Sequence, residues 1–193
     1  MRWDRSIRAI RDKKLEIARL DPRRGMPVAP PPGATLRAVA AVERKLGREL
    51  PSDFAAFLTE HDGFPDLLHG TSLLSTHHLA RGTYDGLARA VIDLGEPDDA
   101  PSTLVPFGVD AKGETIFAWD TASAGADGEL EVVIWSNDIG ARLPNFAAFL
   151  DFVDDVLEAD VTSLRAERAP RARPTTATSG AKRGRLDSVS GFG

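Results

Sequence analysis

Residues 105–120 read VPFGVDAKGETIFAWD, and this stretch decides the class of fold. The letters VPFGV predict the start of a strand, DAKG has the composition of a turn, and ETIFAWD predicts a returning strand. Residues Leu130–Trp135 predict a further strand after a glycine-containing turn, and Thr71–Ser75 an earlier one. Strands joined by short turns predict an antiparallel meander with one face turned toward a layer of helices.

Helices are predicted on both sides of this meander. Thr35 caps a helix that ends at Gly47. Pro51 starts or immediately precedes a second helix, which Ser52 can cap. Asn145 caps a closing helix whose apolar residues recur at helical spacing. The order of elements predicts an α+β fold, with an antiparallel β-sheet meander packed against an N-terminal helix pair and a C-terminal helix.

The two ends of the chain differ from its middle in composition. Residues 1–33 combine a basic amphipathic helix with a proline-rich linker that can neither continue a helix nor enter a central strand. Residues 161–193 are basic and, from Arg168 onward, almost without large apolar side chains, so we expect a disordered tail. One domain is expected over residues 34–160. The N-terminal helix is expected to dock on that domain rather than on a membrane or in a partner's groove.

The net charge of −5 conceals a segregation of charge along the chain. Residues 1–50 carry 13 Lys and Arg against 6 Asp and Glu, whereas residues 51–160 carry 4 against 21. Residues 161–193 carry 7 against 2. An acidic middle repels nucleic acid and attracts a basic protein surface, although acids also serve simply to keep a small protein in solution.

The composition excludes several classes of protein. A chain of 193 residues is long enough for one domain and its tails but not for two ordinary domains. The absence of Cys excludes disulfide scaffolds, thiolate zinc sites and cysteine nucleophiles. No apolar run reaches the roughly 18 residues of a membrane span, and the charged start lacks the apolar stretch of a signal peptide. We therefore expect a cytoplasmic protein.

Four motifs, in order, resemble those of SUKH domains, the superfamily that includes the Smi/Knr cell-wall regulators. The first comprises Glu43, Leu46-Gly47, Leu50-Pro51-Ser52-Asp53-Phe54, Phe57-Leu58 and Asp62-Gly63. The second, similar to the family's central hairpin, comprises Val105-Pro106-Phe107-Gly108 and Gly113-Glu114, Ile116-Phe117 and Trp119-Asp120. The others are Val133-Ile134-Trp135 with Asn137-Asp138, and Phe146 with Phe149-Leu150. The resemblance covers residues 35–158.

The resemblance implies a binding function. Most bacterial SUKH proteins look like immunity proteins, which are made beside a secreted polymorphic toxin and neutralise it by binding. Many such toxins are nucleases or deaminases, and a nuclease surface is basic because it holds phosphate. The resemblance implies a protein partner such as a basic nuclease toxin domain, bound in the cytoplasm by a monomer or in a 1:1 complex. No cofactor, no membrane, and no nucleic acid on the acidic middle are expected.

The polar residues do not predict a catalytic site. His77 and His78 would point to opposite faces of a strand, and His61 lies at the end of a helix, so no pair has metal-ligand spacing. Acids near turns could hold Mg²⁺ but more often form the turn itself; they are Asp110, Glu114, Asp120, Asp127 and Asp138. A metal-dependent hydrolase is the remote alternative. The nearer one is an intracellular regulatory or scaffold module that recruits partners through the basic helix and tail.

The partner-binding surface is predicted on the meander and its turns. Trp119 and Trp135 lie on predicted strands, where core packing is the commoner role, but one of them facing a cleft would form an aromatic anchor ringed by acids. Such an anchor suits an Arg-rich partner, and Phe64 would line the same opening. The predicted contact residues are Asp110, Glu114, Trp119, Asp120, Trp135, Asn137, Asp138 and Phe64, with no catalytic or metal-ligating residue.

Overall fold

The β-sheet is antiparallel, and its strands lie side by side in the order in which they occur in the chain. The computed structural model describes residues 2–83, 86, 103–125, 128–136 and 139–168. The strands in these ranges are β1 (Phe64–Leu68), β2 (Thr71–Leu73), β3 (Leu104–Asp110), β4 (Thr115–Asp120), β5 (Glu131–Ser136) and β6 (Ile139–Leu143). The predicted meander corresponds to β3, β4 and β5, and the α+β class is confirmed.

The edge strands β1 and β6 were not predicted from the sequence. In β1, Asp66 has a φ of 48°, and the register with β2 shifts between Phe64 and Leu68. In β6, which reads IGARL, apolar and polar residues do not alternate, and the register with β5 also shifts. Short, bulged edge strands lose the period of two on which recognition of a strand depends.

Helices precede, interrupt and close the sheet. Within the described ranges they are α1 (Asp4–Leu20), α2 (Leu36–Leu46), α3 (Ser52–Glu60), α4 (Thr76–Arg81) and α5 (Phe146–Arg168), with a 3₁₀ turn at Pro22–Arg24. The predicted helix pair corresponds to α2 and α3, and the predicted closing helix to α5. None of these helices combines the length and the apolar character needed to cross a lipid bilayer.

The residues around Leu79, which were predicted to lie near a strand, form helix α4. The Oγ of Ser75 accepts a hydrogen bond from the N–H of His78 at 3.4 Å, and a short helix follows from Thr76. A serine at this position is a common start for a helix. His77 and His78 therefore lie on a helix and not on a strand.

Two helix starts and one helix end agree with the sequence. Thr35 Oγ1 accepts the N–H of Ala38 at 3.2 Å, and Asn145 Oδ1 accepts the N–H of Ala148 at 2.9 Å. Gly47 ends α2 with a φ of 68°, a left-handed conformation that glycine adopts without a steric penalty. The local capping rules are therefore sufficient at these three positions.

Pro51 immediately precedes α3, as predicted, but Ser52 does not cap the helix. Ser52 is the first helical residue, and Pro51 before it supplies no side-chain cap. Instead, Oε1 of Glu129 accepts hydrogen bonds from the Ser52 hydroxyl at 2.7 Å and from the N–H of Asp53 at 2.9 Å. A carboxylate from the β4–β5 connection thus satisfies the positive end of α3.

Aromatic rings join α3 and α5 to one face of the sheet. Phe107 stacks on Trp119 with ring centroids 4.4 Å apart, and Phe54 of α3 meets Trp119 edge-on at 4.7 Å. Phe149 of α5 meets Phe117 at 4.9 Å. All five rings are at most 1% exposed, so this layer is the centre of the hydrophobic core.

Helix α1 packs along α5 and contributes to the same core. Ile7, Ile10 and Ile17 are at most 6% exposed, and the ring of Trp3 lies 5.6 Å from that of Phe146. These contacts place the N-terminal helix on the body of the protein and not away from it. Its Arg-rich side faces solvent.

Helix α5 continues past residue 160, where the sequence analysis placed the end of the domain. Val161 is 2% exposed and Leu164 packs against the core, so the last turns of the helix still bury apolar surface. The helix ends at Arg168. Residues 169–193, the remainder of the predicted tail, lie outside the described residues.

Candidate functional site

A groove of about 480 Å³ opens beside strands β1, β2 and β3, between the proline-rich linker and α4. Its walls are largely apolar and come from elements that are distant in the chain: Pro31, Phe64, Pro65, Leu73, Leu74 and Val109. Its polar lining includes Asp62, Ser72, Ser75, His78 and Asp110. Among the described residues of this lining, Asp62 and Asp110 carry carboxylates, and neither Lys nor Arg contributes.

Asp62 fixes the position of α4 at one side of the groove. Its Oδ1 accepts the N–H of Thr76 at 2.6 Å, and its Oδ2 accepts the Thr76 hydroxyl at 3.1 Å. Each carboxylate oxygen has a second lone pair, so Asp62 can still accept a hydrogen bond from a ligand. Asp62 is therefore both a structural cap and a negative charge in the lining.

Asp110 lies at the end of β3 and holds the β3–β4 turn. Its Oδ1 accepts the N–H of Glu114 at 2.7 Å and that of Thr115 at 3.2 Å. Its Oδ2 takes part in no hydrogen bond or ion pair with any residue that the structure describes. One oxygen of Asp110 thus orients the carboxylate, and the other is left for a partner.

The groove brings together two of the eight predicted contact residues, Phe64 and Asp110. Phe64 is fully buried and forms part of the wall, so it supports the groove without offering an exposed ring. Glu114 is exposed in the neighbouring turn but is not part of the lining. Asn137 and Asp138 lie outside the described residues.

Neither Trp119 nor Trp135 forms the predicted aromatic anchor. Trp119 pairs with Val132 and Ile116 pairs with Trp135 in the β4–β5 register, which puts the two tryptophans on opposite faces of the sheet. Trp119 is 1% and Trp135 3% exposed. Neither indole is available as an exposed anchor, because core packing has taken up both rings.

Asp120, which was predicted to contact a partner, is instead buried and paired with Arg142. Its Oδ2 lies 2.8 Å from Nη1 of Arg142, and its Oδ1 accepts the N–H of Ala122 at 3.0 Å. Burial acts to raise the pKa of Asp120, but the hydrogen bonds from Arg142 and Ala122 and the positive charge of Arg142 outweigh it, so the net pKa is lowered. The same arginine reaches Glu131 at 3.1 Å. Asp120 therefore ties β4 to β6.

A smaller pocket of about 190 Å³ lies between α1, α5 and the β1–β2 turn. Its charged residues satisfy one another: Lys14 pairs with Asp66 at 3.0 Å, and Asp160 with Arg24 at 3.2 Å and with His69 at 2.9 Å. These pairs attach the N-terminal segment to the body. The pocket is therefore a structural junction, and the larger groove is the candidate binding site.

Sequence reasoning missed three residues of the groove for three different reasons. Asp62 was quoted only as part of an Asp-Gly motif, Pro31 only as part of a linker, and His78 was placed on a strand. The signal for His78 was present, because Ser75 is a helix cap and Gly82 a helix stop. Nothing local indicates that Pro31 lines the groove, since the groove is formed by parts of the chain that are distant in sequence.

Where the structure describes them, the acids that might have held Mg²⁺ do not form a shared site. Asp110 holds the β3–β4 turn, while Asp120 pairs with Arg142. Asp127 and Asp138 lie outside the described residues. Within the ranges that the structure covers, the side chains close enough to share one metal ion are Asp4, Glu60 and His61, which do not line the groove.

The helix pair, the antiparallel meander and the closing helix together define a SUKH-type domain. The model of the SMI1 / KNR4 family (SUKH-1) matches residues 33–155, and the chain belongs to this family. The matched region starts after α1 and ends within α5. No curated protein matches the chain.

Residues that carry the family resemblance hold the fold together. Glu43 Oε1 accepts the N–H of Leu50 at 3.2 Å, which closes the connection between α2 and α3. Asp53, in the first turn of α3, receives a hydrogen bond from Nη2 of Arg2 at 3.1 Å. These motif residues are engaged in structural contacts, so the family pattern by itself does not locate the contact surface.

Proposed function

We propose that this chain is an immunity protein that neutralises a toxin domain by binding it at the groove beside β1, β2 and β3. The SUKH family includes immunity proteins and is generally non-catalytic. Binding without catalysis accords with the groove, whose lining combines apolar walls with two carboxylates. This combination of wall and charge is the observation that carries the proposal.

The charge of the groove favours a basic partner. An arginine side chain has an apolar stem and a planar cation, and a pocket with apolar walls and acids at its rim suits both parts. Residues 51–160 carry a large excess of acids, which would accelerate the encounter with a basic toxin at low salt. The proposed partner is therefore a basic protein domain, such as a nuclease, bound by one copy of this chain in the cytoplasm.

The test begins with co-purification of the full chain and the toxin domain encoded in the neighbouring reading frame. We expect a 1:1 complex and an association rate that falls as salt is raised. Asp110→Asn keeps the Oδ1 acceptor of the turn while removing the charge, and it should weaken binding by about tenfold. The matched control is Asp151→Asn, which removes an equally negative, exposed charge from α5. Equal binding by the two variants, or no complex, would overturn the groove proposal.

The regulatory or scaffold alternative also has an observation in its favour. Arg5, Arg8 and Arg11 lie exposed on α1 and form no ion pair within the residues that the structure describes. Replacing all three by Gln leaves the buried face of α1 intact. Loss of partner capture in that variant would favour recruitment through the basic helix, whereas unchanged capture favours the groove.

A further inference from the structure

Three metal-ligating side chains meet where α1 begins and α3 ends. Asp4 lies in the first turn of α1, Glu60 is the last residue of α3, and His61 follows it directly. One ligand atom from each lies within 4.8 Å of the other two. The docking of α1 on the body creates this group, which is separate from the groove.

Glu60 is already held in place. Its Oε1 accepts the N–H of Arg2 at 2.7 Å, and its Oε2 accepts the N–H of Trp3 at 2.9 Å. A carboxylate oxygen that accepts one hydrogen bond keeps a lone pair for a second interaction. Glu60 would therefore lose little conformational freedom on binding an ion, which favours affinity.

The ring nitrogen Nε2 of His61 is a second feature that favours an ion at this place. Its Nε2 is closed to solvent and has no hydrogen-bond partner among the described residues. It faces Oδ1 of Asp4 at 3.8 Å, and the ring packs against Phe57 with centroids 5.8 Å apart. A buried polar atom without a partner is costly and calls for an explanation.

His61 Nε2 and Asp4 Oδ1 lie 3.8 Å apart, which is within ion-pair range but too far for a hydrogen bond. A hydrogen bond requires a distance of about 3.2 Å or less, and a bridging water separates its two partners by about 4.5 Å or more. Zinc binds His nitrogen and carboxylate oxygen at about 2.0–2.2 Å in a tetrahedral arrangement, which places two of its ligands about 3.3–3.6 Å apart, so a small movement of Asp4 would complete the pair. Asp4 is 43% exposed and has room to rotate toward an ion.

We propose that Asp4, Glu60 and His61 form a zinc site that fastens the start of α1 to the end of α3. One imidazole and two carboxylates suit Zn²⁺, with water in the remaining position. The carbonyl end of α3 also favours a cation at this place. The site is independent of the proposed function, since it uses no residue of the groove.

The test is a titration of Zn²⁺ into the full chain, prepared without a histidine tag and stripped of metal with a chelator. We expect saturable binding of one zinc per chain and a rise in the thermal unfolding midpoint on adding zinc. His61→Gln should lower the affinity at least tenfold and abolish the rise. The matched control is His77→Gln, on the exposed side of α4, which should behave as the unaltered chain.

Asp4→Asn is the second variant, because a partly exposed residue in the first turn of α1 can be changed without opening the core. It should lower the zinc affinity while leaving the circular dichroism of the metal-free chain unchanged. The proposal is overturned if zinc does not bind with one-to-one saturation. It is equally overturned if His61→Gln and Asp4→Asn, both folded, bind zinc as tightly as His77→Gln does.

Discussion

Nζ of Lys14 lies 3.0 Å from Oδ2 of Asp66, although 52 positions separate the two residues in the chain. The same ammonium group also donates to the backbone carbonyl of Asp66. Lys14 is 9% exposed, so α1 carries a buried cation into the turn region of β1. The contact makes the N-terminal helix part of the fold that supports the β1 side of the groove.

Replacing Lys14 by Met is expected to reduce the free energy of unfolding by about 1–3 kcal/mol. The methionine fills a similar volume, but the Asp66 carbonyl and carboxylate lose their charged donor. Urea unfolding followed by tryptophan fluorescence measures the loss. Lys112→Met, at an exposed position in the β3–β4 turn, is the control and should change the unfolding free energy little. Equal effects in the two variants would contradict the structural role of Lys14.

Gly33 is expected to tolerate no side chain. A Cβ at this position would lie 1.9 Å from the carbonyl oxygen of Thr59, because the linker hydrogen-bonds to the end of α3 through Ala34 N–H and Leu58 O at 2.7 Å. Gly33→Ala should cost about 1–3 kcal/mol of stability, as overpacking does. Gly86→Ala, where a Cβ meets no atom of the described residues within 4 Å, is the matched control in the same urea experiment. An unchanged midpoint for Gly33→Ala would show that the linker is not held against α3.

Removal of residues 1–33 is expected to disrupt folding and not merely to detach an arm. Each buried Ile of α1 contributes about 1.5–3 kcal/mol, and together the apolar residues of this helix rival a typical total stability of about 5–15 kcal/mol. The deletion would also expose Leu157 and Val161 of α5. Size-exclusion chromatography and thermal unfolding should show aggregation or loss of a cooperative transition.

The control for that deletion is the chain ending at Arg168, which keeps α5 whole and should unfold at the same midpoint as the full chain. A monomeric, cooperatively folded fragment without residues 1–33 would contradict the packing of α1. This expectation also explains why deleting the helix cannot distinguish recruitment through α1 from binding at the groove. Substitution of the exposed arginines of α1 can distinguish these two alternatives.

The Asp120–Arg142 pair predicts a specific dependence of stability on pH. The pKa of Asp120 is lowered in the folded protein, so between the folded and unfolded pKa values the unfolded chain binds more protons. The contribution is thus present above about pH 4, where an unfolded carboxyl group is ionised, and is lost as pH falls through the folded pKa.

Arg142→Gln should remove about 1 kcal/mol at pH 7, a modest amount because the arginine is 39% exposed. Its stability should converge with that of the unaltered chain at low pH. Urea unfolding between about pH 2.5 and 7 measures both curves, and Arg81→Gln, at the exposed end of α4, is the control. Parallel curves with a constant gap would show that the pair does not govern the acid response.

The sequence predicted the elements that depend on local interactions. The cap at Thr35 and the left-handed stop at Gly47 are satisfied within a few residues, so the signals survive folding unchanged. The same holds for β3 and β4, which a short local turn at Asp110–Gly113 joins. Prediction from local interactions fails at the start of α3, where Glu129 from the β4–β5 connection replaces the expected serine cap.

The acidic character of the middle of the chain, the α+β class and the family resemblance follow from the sequence alone. Tertiary structure alone decided that Trp119 and Trp135 point to opposite faces, that Pro31 meets Asp110 across a groove, and that Asp4 reaches His61. The physical reason is that local hydrogen bonding and side-chain period set which element forms. Whether a given side chain ends in the core, in a groove or beside a distant partner depends on long-range packing that no short stretch of sequence contains.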